Sequence, residues 1–300
     1  MYKFIKNIFI FILILCLPVT ALVYKADGRT DPCYLRFTTS EKNSMILGSS
    51  RAAQGIRPSI INKVLGSSLY NFSFSSSQSP YGPIYYESIV RKLETSTKKN
   101  LFILEVNPWT ISSTSLNPND TSQFREINLC LDNTQNVSLD PNPIYLFNNL
   151  KGQYRKLLQN EKHMLLHEDG WLEIDVAMDS TSVNSRTNKK MKIYRAKNLP
   201  SYKFSKIRLE YLSKTIQELK KTGNVFLVRV PIHSRMLAIE NELMPDFNSK
   251  ILSISHLSNG FLDMTSDSAV YGFTDGNHIS SENGIKVSTQ NAEWTNSSLN

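Results

Sequence analysis

MILGSSRA, residues 45–52, is a short apolar run followed at once by a glycine, two serines and an arginine. The apolar run fits a buried strand, and Gly48 permits a tight turn into a helix. Serine is also an ordinary residue at the start of a helix, so this stretch alone does not distinguish Ser49 from Ser50. Which serine has a functional role depends on the other residues that the fold brings to this turn.

Short apolar runs recur along the chain with helical stretches between them, a pattern typical of a parallel sheet covered by helices on both faces. Strands are predicted at residues 45–47, 69–74, 101–106, 225–230 and 261–264. Helices are predicted at residues 60–65, 81–93, 202–221 and 235–243, with another beginning near Ser281. The sequence therefore predicts a doubly wound, flavodoxin-like α/β fold with a parallel sheet of about five strands.

The alternation of strands and helices breaks down between residues 108 and 200, which are rich in Ser, Asn, Asp and Thr. This stretch contains one predicted helix, at 144–158, and too few apolar residues for a core of its own. We therefore predict an insertion at about 108–200, between the third and fourth strands, rather than a second domain. The α/β domain then covers residues 42–300, preceded by a linker at 25–41.

Residues 1–24 are predicted to target the chain to a membrane. Lys3 and Lys6 precede an apolar stretch from residue 8 to 24, which is near the lower length limit for a membrane span. It serves either as an uncleaved signal-anchor or as a signal peptide cleaved after Ala21. The early positive charges favour a cytoplasmic N-terminus. We expect residues 4–24 to lie in the inner or cytoplasmic membrane and the domain to lie on the extracytoplasmic side.

The formal net charge of +8 is compatible with several anionic partners, including the lipids and polymers of a cell envelope. The lysines occur in small pairs such as Lys189-Lys190 rather than in one patch, so we predict no nucleic-acid partner. No Cys-x-x-Cys or His-rich cluster occurs, and we predict no metal and no other cofactor. Cys33 and Cys130 either form a disulfide in an exported chain or remain two buried thiols.

A pairing of serine, histidine and aspartate is the clearest chemical signal in the chain. A serine hydroxyl becomes a nucleophile when an imidazole accepts its proton, and a carboxylate fixes the tautomer of that imidazole. Asp275 precedes His278 by three residues in the loop DGNH. This loop follows the last predicted strand and the Gly48 turn follows the first, so both are expected at the carboxyl edge of the sheet, where ligands bind.

These blocks resemble the SGNH/GDSL hydrolase superfamily, and more closely its membrane-anchored exported branch. That branch includes proteins similar to the D-alanyl-lipoteichoic-acid transfer protein and the polysaccharide O-acetylation factors. The resemblance implies that Ser50 is the nucleophile, that His278 is the general base and that Asp275 orients it. Asn107 corresponds to the family's asparagine after the third strand. The implied oxyanion donors are the backbone N–H groups of Ser50 and Ser76 and the amide of Asn107.

Two departures from the family pattern bear on activity. Residues 70–77, YNFSFSSS, carry serines where the family has a glycine of the oxyanion hole, and Glu105 and Pro108 replace the usual flanks of Asn107. Two functions therefore stay open. One is an exported serine-dependent acyl-ester hydrolase or acyltransferase acting on an acylated cell-envelope polysaccharide or similar glycan. The other is a catalytically inactive glycan-binding or assembly module at the membrane.

Three more residues are candidates for contact with a substrate at the rim of the site. Arg51 and His233 are weak candidates, because a solvated helix face and a plain turn explain them as well. Arg229 lies in an otherwise apolar strand, where an unpaired guanidinium is costly, so we expect an acidic partner or a place at the edge of the site. The expected substrate is an acylated glycan or a small acyl ester. A membrane-bound O-acyltransferase is an expected partner if the reaction is acyl transfer.

Overall fold

The computed structural model describes residues 1–96, 99–159 and 163–299. Its strands, numbered in chain order, are β1 (Met45–Leu47), β2 (Tyr70–Asn71), β3 (Asn100–Glu105), β4 (Ser112–Ser113), β5 (Met164–Leu166), β6 (Leu172–Ile174), β7 (Lys203–Phe204), β8 (Gly223–Arg229) and β9 (Phe261–Asp263). Five of them form one parallel sheet in the order β2-β1-β3-β8-β9, while β4 pairs with β7 and β5 with β6 in antiparallel fashion. This order confirms the predicted flavodoxin-like α/β fold.

Helices cover both faces of the sheet. They are α1 (Tyr2–Val23), α2 (Ser50–Gly55), α3 (Pro58–Leu65), α4 (Pro83–Lys92), α5 (Cys130–Asn133), α6 (Pro143–Leu150), α7 (Ser180–Ile193), α8 (Leu199–Ser201), α9 (Lys206–Lys220), α10 (Ser234–Leu243), α11 (Phe247–Ser255) and α12 (Ser281–Leu299). Alternate residues of β3 point to opposite faces. Phe102 and Leu104 pack in the core with α4 and α9, whereas Leu101 and Ile103 pack with α2, α3 and α12.

The register of the sheet brings three strand ends together. Leu47 is paired with Leu104, and β3 in turn pairs with β8 up to Glu105 opposite Val228. The turn at residues 48–50, the segment after Glu105 and the segment after Arg229 therefore leave the sheet at the same edge. This edge carries the candidate site.

The segment between residues 108 and 200 packs onto the same core as the sheet. Tyr145, Leu146 and Leu150 of α6 are buried in one apolar cluster with Phe102 and Leu104 of β3. The helix predicted at 144–158 is wrong in extent. It ends at Leu150, because Lys151 and Gly152 adopt φ angles of 46° and 82°, and a short 3-10 helix follows at Tyr154–Leu158.

The N-terminal helix α1 differs in character from the rest of the fold. It has 22 residues, none of them buried, and it is long and apolar enough to cross a membrane. Its last turn, at Leu22 and Val23, packs partly against the core. These features fit a signal anchor or a signal sequence.

Both cysteines outside α1 are free thiols. Cys33 and Cys130 are buried, and the thiol of Cys130 donates a hydrogen bond of 2.6 Å to Gln78 Oε1, an atom that also lies 3.6 Å from Cys33 Sγ. Of the two alternatives left open by the sequence, the structure contains the pair of buried thiols.

Candidate active site

The turn after β1 separates the roles of the two serines. Ser49 caps α2, since its hydroxyl accepts the backbone N–H of Arg51, and Ser50 is the first residue of that helix. Gly48 has a φ of +144°, and a Cβ added there would lie 2.7 Å from the Cβ of Glu105. Glycine is therefore required for the turn to pass over β3 and present Ser50 at the sheet edge.

Ser50 belongs to a chain of hydrogen bonds with His278 and Asp275. Ser50 Oγ lies 2.8 Å from His278 Nε2, and His278 Nδ1 lies 3.0 Å from Asp275 Oδ2 and 3.1 Å from Oδ1. An ionised carboxylate has no proton to donate, so Nδ1 carries the ring proton and Nε2 accepts from the Ser50 hydroxyl. A hydroxyl held in this way can pass its proton to the imidazole and attack an electrophilic carbon.

The insertion supplies a charge to this array. Lys190 Nζ on α7 lies 3.0 Å from Asp275 Oδ2, and both side chains are mostly buried. Burial by itself raises the pKa of the Asp275 carboxyl, but the hydrogen bond and charge interaction with His278 and the Lys190 ammonium outweigh burial. The pKa of Asp275 consequently lies well below its ordinary value of 3.8.

This pKa shift predicts how stability depends on pH. Since the pKa of Asp275 is lower in the folded state, its ionised form stabilises the fold above the unfolded value of 3.8, and this stabilisation is lost as the pH falls toward the folded value. We therefore expect the difference in Tm between the wild type and Asp275→Asn to shrink as the pH is lowered from about 5 to about 3. Thermal unfolding in detergent measures this. A constant difference over that interval would contradict the assignment.

Ser49 is turned away from His278 and toward a buried carboxylate. Its backbone N–H and its hydroxyl both donate to Glu105 Oε2, at 2.9 and 2.8 Å, and Glu105 has no solvent exposure. The structure thus places Ser50, and not Ser49, beside the imidazole.

Two of the expected oxyanion donors are the backbone N–H groups of Ser50 and Ser76. The first turn of α2 leaves the backbone N–H of Ser50 without an intrahelical acceptor. Ser76 lies in a turn of the second segment, which is tied to the first because Gly48 O accepts the N–H of Phe74 at 3.3 Å. The donor that the resemblance implies for Ser76 is its backbone N–H.

The expected role of the Asn107 amide as an oxyanion donor is wrong in this structure, because its amide hydrogens point to other groups. Asn107 Nδ2 donates to Glu105 Oε1 at 2.6 Å and lies 3.2 Å from Ser49 Oγ, while its Oδ1 accepts the N–H groups of Trp109 and Thr110. The side chain is 1% exposed. Asn107 therefore holds the turn before a short 3-10 helix, and both of its amide hydrogens are already used.

Arg51 and Arg229, which were expected at the rim, are buried and form ion pairs with the same acidic residue. Glu240 on α10 is fully buried and lies 2.6 Å from Arg51 Nη2 and 3.0 Å from Arg229 Nη2, and it also accepts the indole N–H of Trp109. The acidic partner expected for Arg229 is confirmed. The predicted substrate contacts of Arg51 and Arg229 are wrong in this structure, because an unpaired buried guanidinium is costly and both are committed to Glu240.

His233 lies near the loop of the candidate triad without entering it. Its backbone N–H donates to Gly276 O at 3.2 Å, and its Nδ1 accepts the N–H of Arg235 as the cap of α10. Partial burial, with a smaller contribution from Arg235, lowers the pKa of the His233 ring. The ring packs edge-on against Phe273. Its position agrees with the alternative of a turn histidine, although it borders the rim.

Three functional neighbours were not identified from the sequence. Glu240 follows Met236 and Ile239 on one helical face, so an acidic residue on an apolar stripe was the available signal for the partner of Arg229. Lys190 lies in a polar stretch with no periodicity that marks it. Glu105 was noted only as a departure from a family pattern, yet its buried carboxylate organises the turn that carries Ser50.

Comparisons with known proteins add little. No family model matches the chain, and no curated protein matches its sequence. Among solved structures it is similar to a carbohydrate acetylesterase family member from Sinorhizobium meliloti, with a TM-score of 0.37 and 12% identity over 86% of this chain and 99% of that chain. It is also similar to an acetyl xylan esterase from the rumen bacterium Butyrivibrio proteoclasticus, with a TM-score of 0.30 and 8% identity over 87% of this chain and 64% of that chain. Scores this low carry no argument about function.

Proposed function

We propose that this protein is a serine-dependent acyl-ester hydrolase or acyltransferase. The observation that carries the proposal is the continuous hydrogen-bonded array from Ser50 through His278 to Asp275. Its distances are those at which a general base activates a serine, and the array lies at the carboxyl edge of the sheet. In this proposal Ser50 is the nucleophile, His278 the base and then the acid, and Asp275 the residue that orients the ring.

The reaction has two halves. Ser50 Oγ forms a bond to the acyl carbon while its proton moves to His278 Nε2, and the alcohol then leaves with that proton. Water or a second hydroxyl group then attacks the acyl-enzyme while its proton moves to Nε2. The bond between the acyl carbon and Ser50 Oγ breaks, Nε2 passes the proton to Oγ, and the acid or the new ester leaves. The backbone N–H groups of Ser50 and Ser76 are the proposed oxyanion donors, and one such donor contributes about 10²- to 10³-fold in kcat.

The proposed substrate is an acylated polysaccharide of the cell envelope or a similar glycan. We propose that α1 anchors the domain on the extracytoplasmic side of a membrane, where such polymers are the abundant acyl esters and acyl acceptors. The net charge of +8 favours anionic surroundings of this kind. If the reaction is acyl transfer, a membrane-bound O-acyltransferase is the proposed partner.

One observation favours a second candidate function. Both amide hydrogens of Asn107 are used by Glu105 and Ser49, so the proposed oxyanion hole lacks the side-chain donor that the resemblance implies and keeps only backbone donors. A cleft with one donor fewer than the family pattern suits a module that binds an acylated glycan and turns it over slowly or not at all. The two functions differ in whether Ser50 forms a covalent acyl-enzyme.

A fluorophosphonate probe tests the proposal, because it reacts only with an activated serine. We expect the full-length protein in detergent to form one adduct, mapped by mass spectrometry to Ser50 and absent from Ser49. Heat-unfolded protein is the control, since it keeps both serines but lacks the array. Absence of an adduct on the folded protein would contradict the enzyme proposal and favour the binding module.

A further inference from the structure

Asn277 lies between the two loop members of the candidate triad and is itself directed at the reacting atoms. Its side chain is 4% exposed, and its Nδ2 lies 3.2 Å from His278 Nε2. Its Oδ1 lies 2.7 Å from Arg51 Nη2 and 3.2 Å from Arg51 Nε. A guanidinium only donates, so the amide atom that faces it must be the oxygen. The amide N–H₂ must therefore face the imidazole.

A buried ion pair between Arg51 and Glu240 stabilises this orientation of the Asn277 amide. Arg51 is 3% exposed and pairs at 2.6 Å with Glu240, which has no solvent exposure. Rotating the Asn277 amide would place its NH₂ group against the Arg51 guanidinium and take the Asn277 acceptor away from Arg51 Nε, at a cost typical of a buried unpaired donor. Arg51 and Glu240 thus act as positioning residues for the amide.

Within the described residues, His278 Nε2 is the acceptor for the Asn277 N–H, and it can accept only while the imidazole is neutral. Nε2 has one lone pair. The Ser50 hydroxyl donates to it at 2.8 Å, a shorter distance than the 3.2 Å from Asn277 Nδ2. Once Nε2 takes the proton of Ser50, it is a donor and can no longer accept from the amide. The alcohol oxygen of the ester must then approach Nε2 to receive that proton, and it arrives beside an N–H that has lost its acceptor.

We propose that Asn277 is a further catalytic residue, whose Nδ2 donates a hydrogen bond to the alcohol oxygen of the ester while His278 Nε2 protonates it. The proposal rests on the acyl-ester chemistry proposed above and narrows its substrate class to esters of alkyl or sugar alcohols. Such alcohols leave poorly without a proton, so stabilising the departing oxygen accelerates their release. The same donor would hold an incoming hydroxyl in the second half of the reaction.

Two variants remove the donor in different ways. Asn277→Asp keeps an oxygen for Arg51 and puts a charged carboxylate oxygen in place of the N–H, whereas Asn277→Ala removes both groups without adding a charge. Asn283→Ala is the matched control, because Asn283 is a neighbouring half-buried asparagine whose amide donates to Ser280 Oγ and not to the triad. Full-length proteins in detergent are compared by Tm and by fluorophosphonate labelling of Ser50, so that misfolding is recognised in either variant.

The decisive measurement is kcat/KM for two acetates that differ in the leaving alcohol. Glucose pentaacetate releases a sugar hydroxyl, whereas p-nitrophenyl acetate releases a phenolate that departs without a proton. We expect both Asn277 variants to lose about 10²-fold on the sugar acetate and less than about threefold on the phenyl ester, and Asn283→Ala to change neither.

Each other outcome has a defined meaning. Equal losses of kcat/KM on both substrates would show that Asn277 only shapes the loop. No loss on either substrate would show that Asn277 has no catalytic role. Each of these results overturns the inference about Asn277 and leaves the proposed enzyme function standing. A wild type that cleaves neither ester and forms no Ser50 adduct would overturn the proposed function, and the role of Asn277 falls with it.

Discussion

Replacing Ser50 with alanine is expected to lower kcat for ester cleavage by about 10⁴-fold or more. The expectation follows from position, because Ser50 Oγ is the group held 2.8 Å from His278 Nε2. Without it no acyl-enzyme forms, and only binding and the oxyanion donors are left to accelerate attack by water. Release of p-nitrophenol from p-nitrophenyl acetate by the purified full-length protein measures the effect.

Ser49→Ala is the control that the chain itself offers, since the same substitution is made one residue earlier. Ser49 donates to Glu105 and caps α2, so its loss is expected to lower Tm while kcat stays within about tenfold of the wild type. A loss of activity in Ser49→Ala with full activity in Ser50→Ala would reverse the assignment. Equal rates in Ser50→Ala and the wild type would mean that the measured cleavage does not involve the array.

The fold was predictable because its strands are buried on both faces and therefore occur in the sequence as short, continuous apolar runs. The five predicted strands match the sheet in number and order, with ends that shift by a few residues, whereas α2 and α11 were not among the predicted helices. β2 shortens most, to Tyr70–Asn71. Helix α7 was missed because its sequence is polar and carries no apolar stripe. Its position depends on tertiary contacts, among them Met191 and Thr187 packed against Gly276.

The candidate site was predictable where its parts are close in sequence or follow from strand order. Asp275 and His278 share one loop, and the Gly48 turn follows the first strand. The supporting residues could not be found in this way. Lys190 reaches Asp275 from the insertion, and Glu240 reaches Arg51 from another helix, so neither pair has a characteristic spacing. The expected role of Asn107 failed because sequence order places a residue without showing which partners its amide has taken.

Replacing Glu240 with alanine is expected to destabilise the fold by about 3 to 5 kcal/mol, the cost typical of leaving buried charges unpaired. Arg51 and Arg229, both almost fully buried, would lose their shared carboxylate, and the Trp109 indole N–H would lose its acceptor. Both arginines keep an amide partner, Asn277 for Arg51 and Asn248 for Arg229. Arg229 also keeps the Asp263 carboxylate at 3.6 Å, so the loss of Glu240 affects Arg51 more. Thermal unfolding in detergent should show a fall in Tm of roughly 10 °C.

Glu242→Ala is the matched control, because Glu242 also forms an ion pair but is not buried. Glu242 lies two residues along α10 and pairs with Arg195 at 2.8 Å, but about half of each side chain is exposed. Water and salt screen such a pair, so Glu242→Ala should leave Tm nearly unchanged. If both variants lowered Tm equally, the cost of removing Glu240 could not be ascribed to its buried partners.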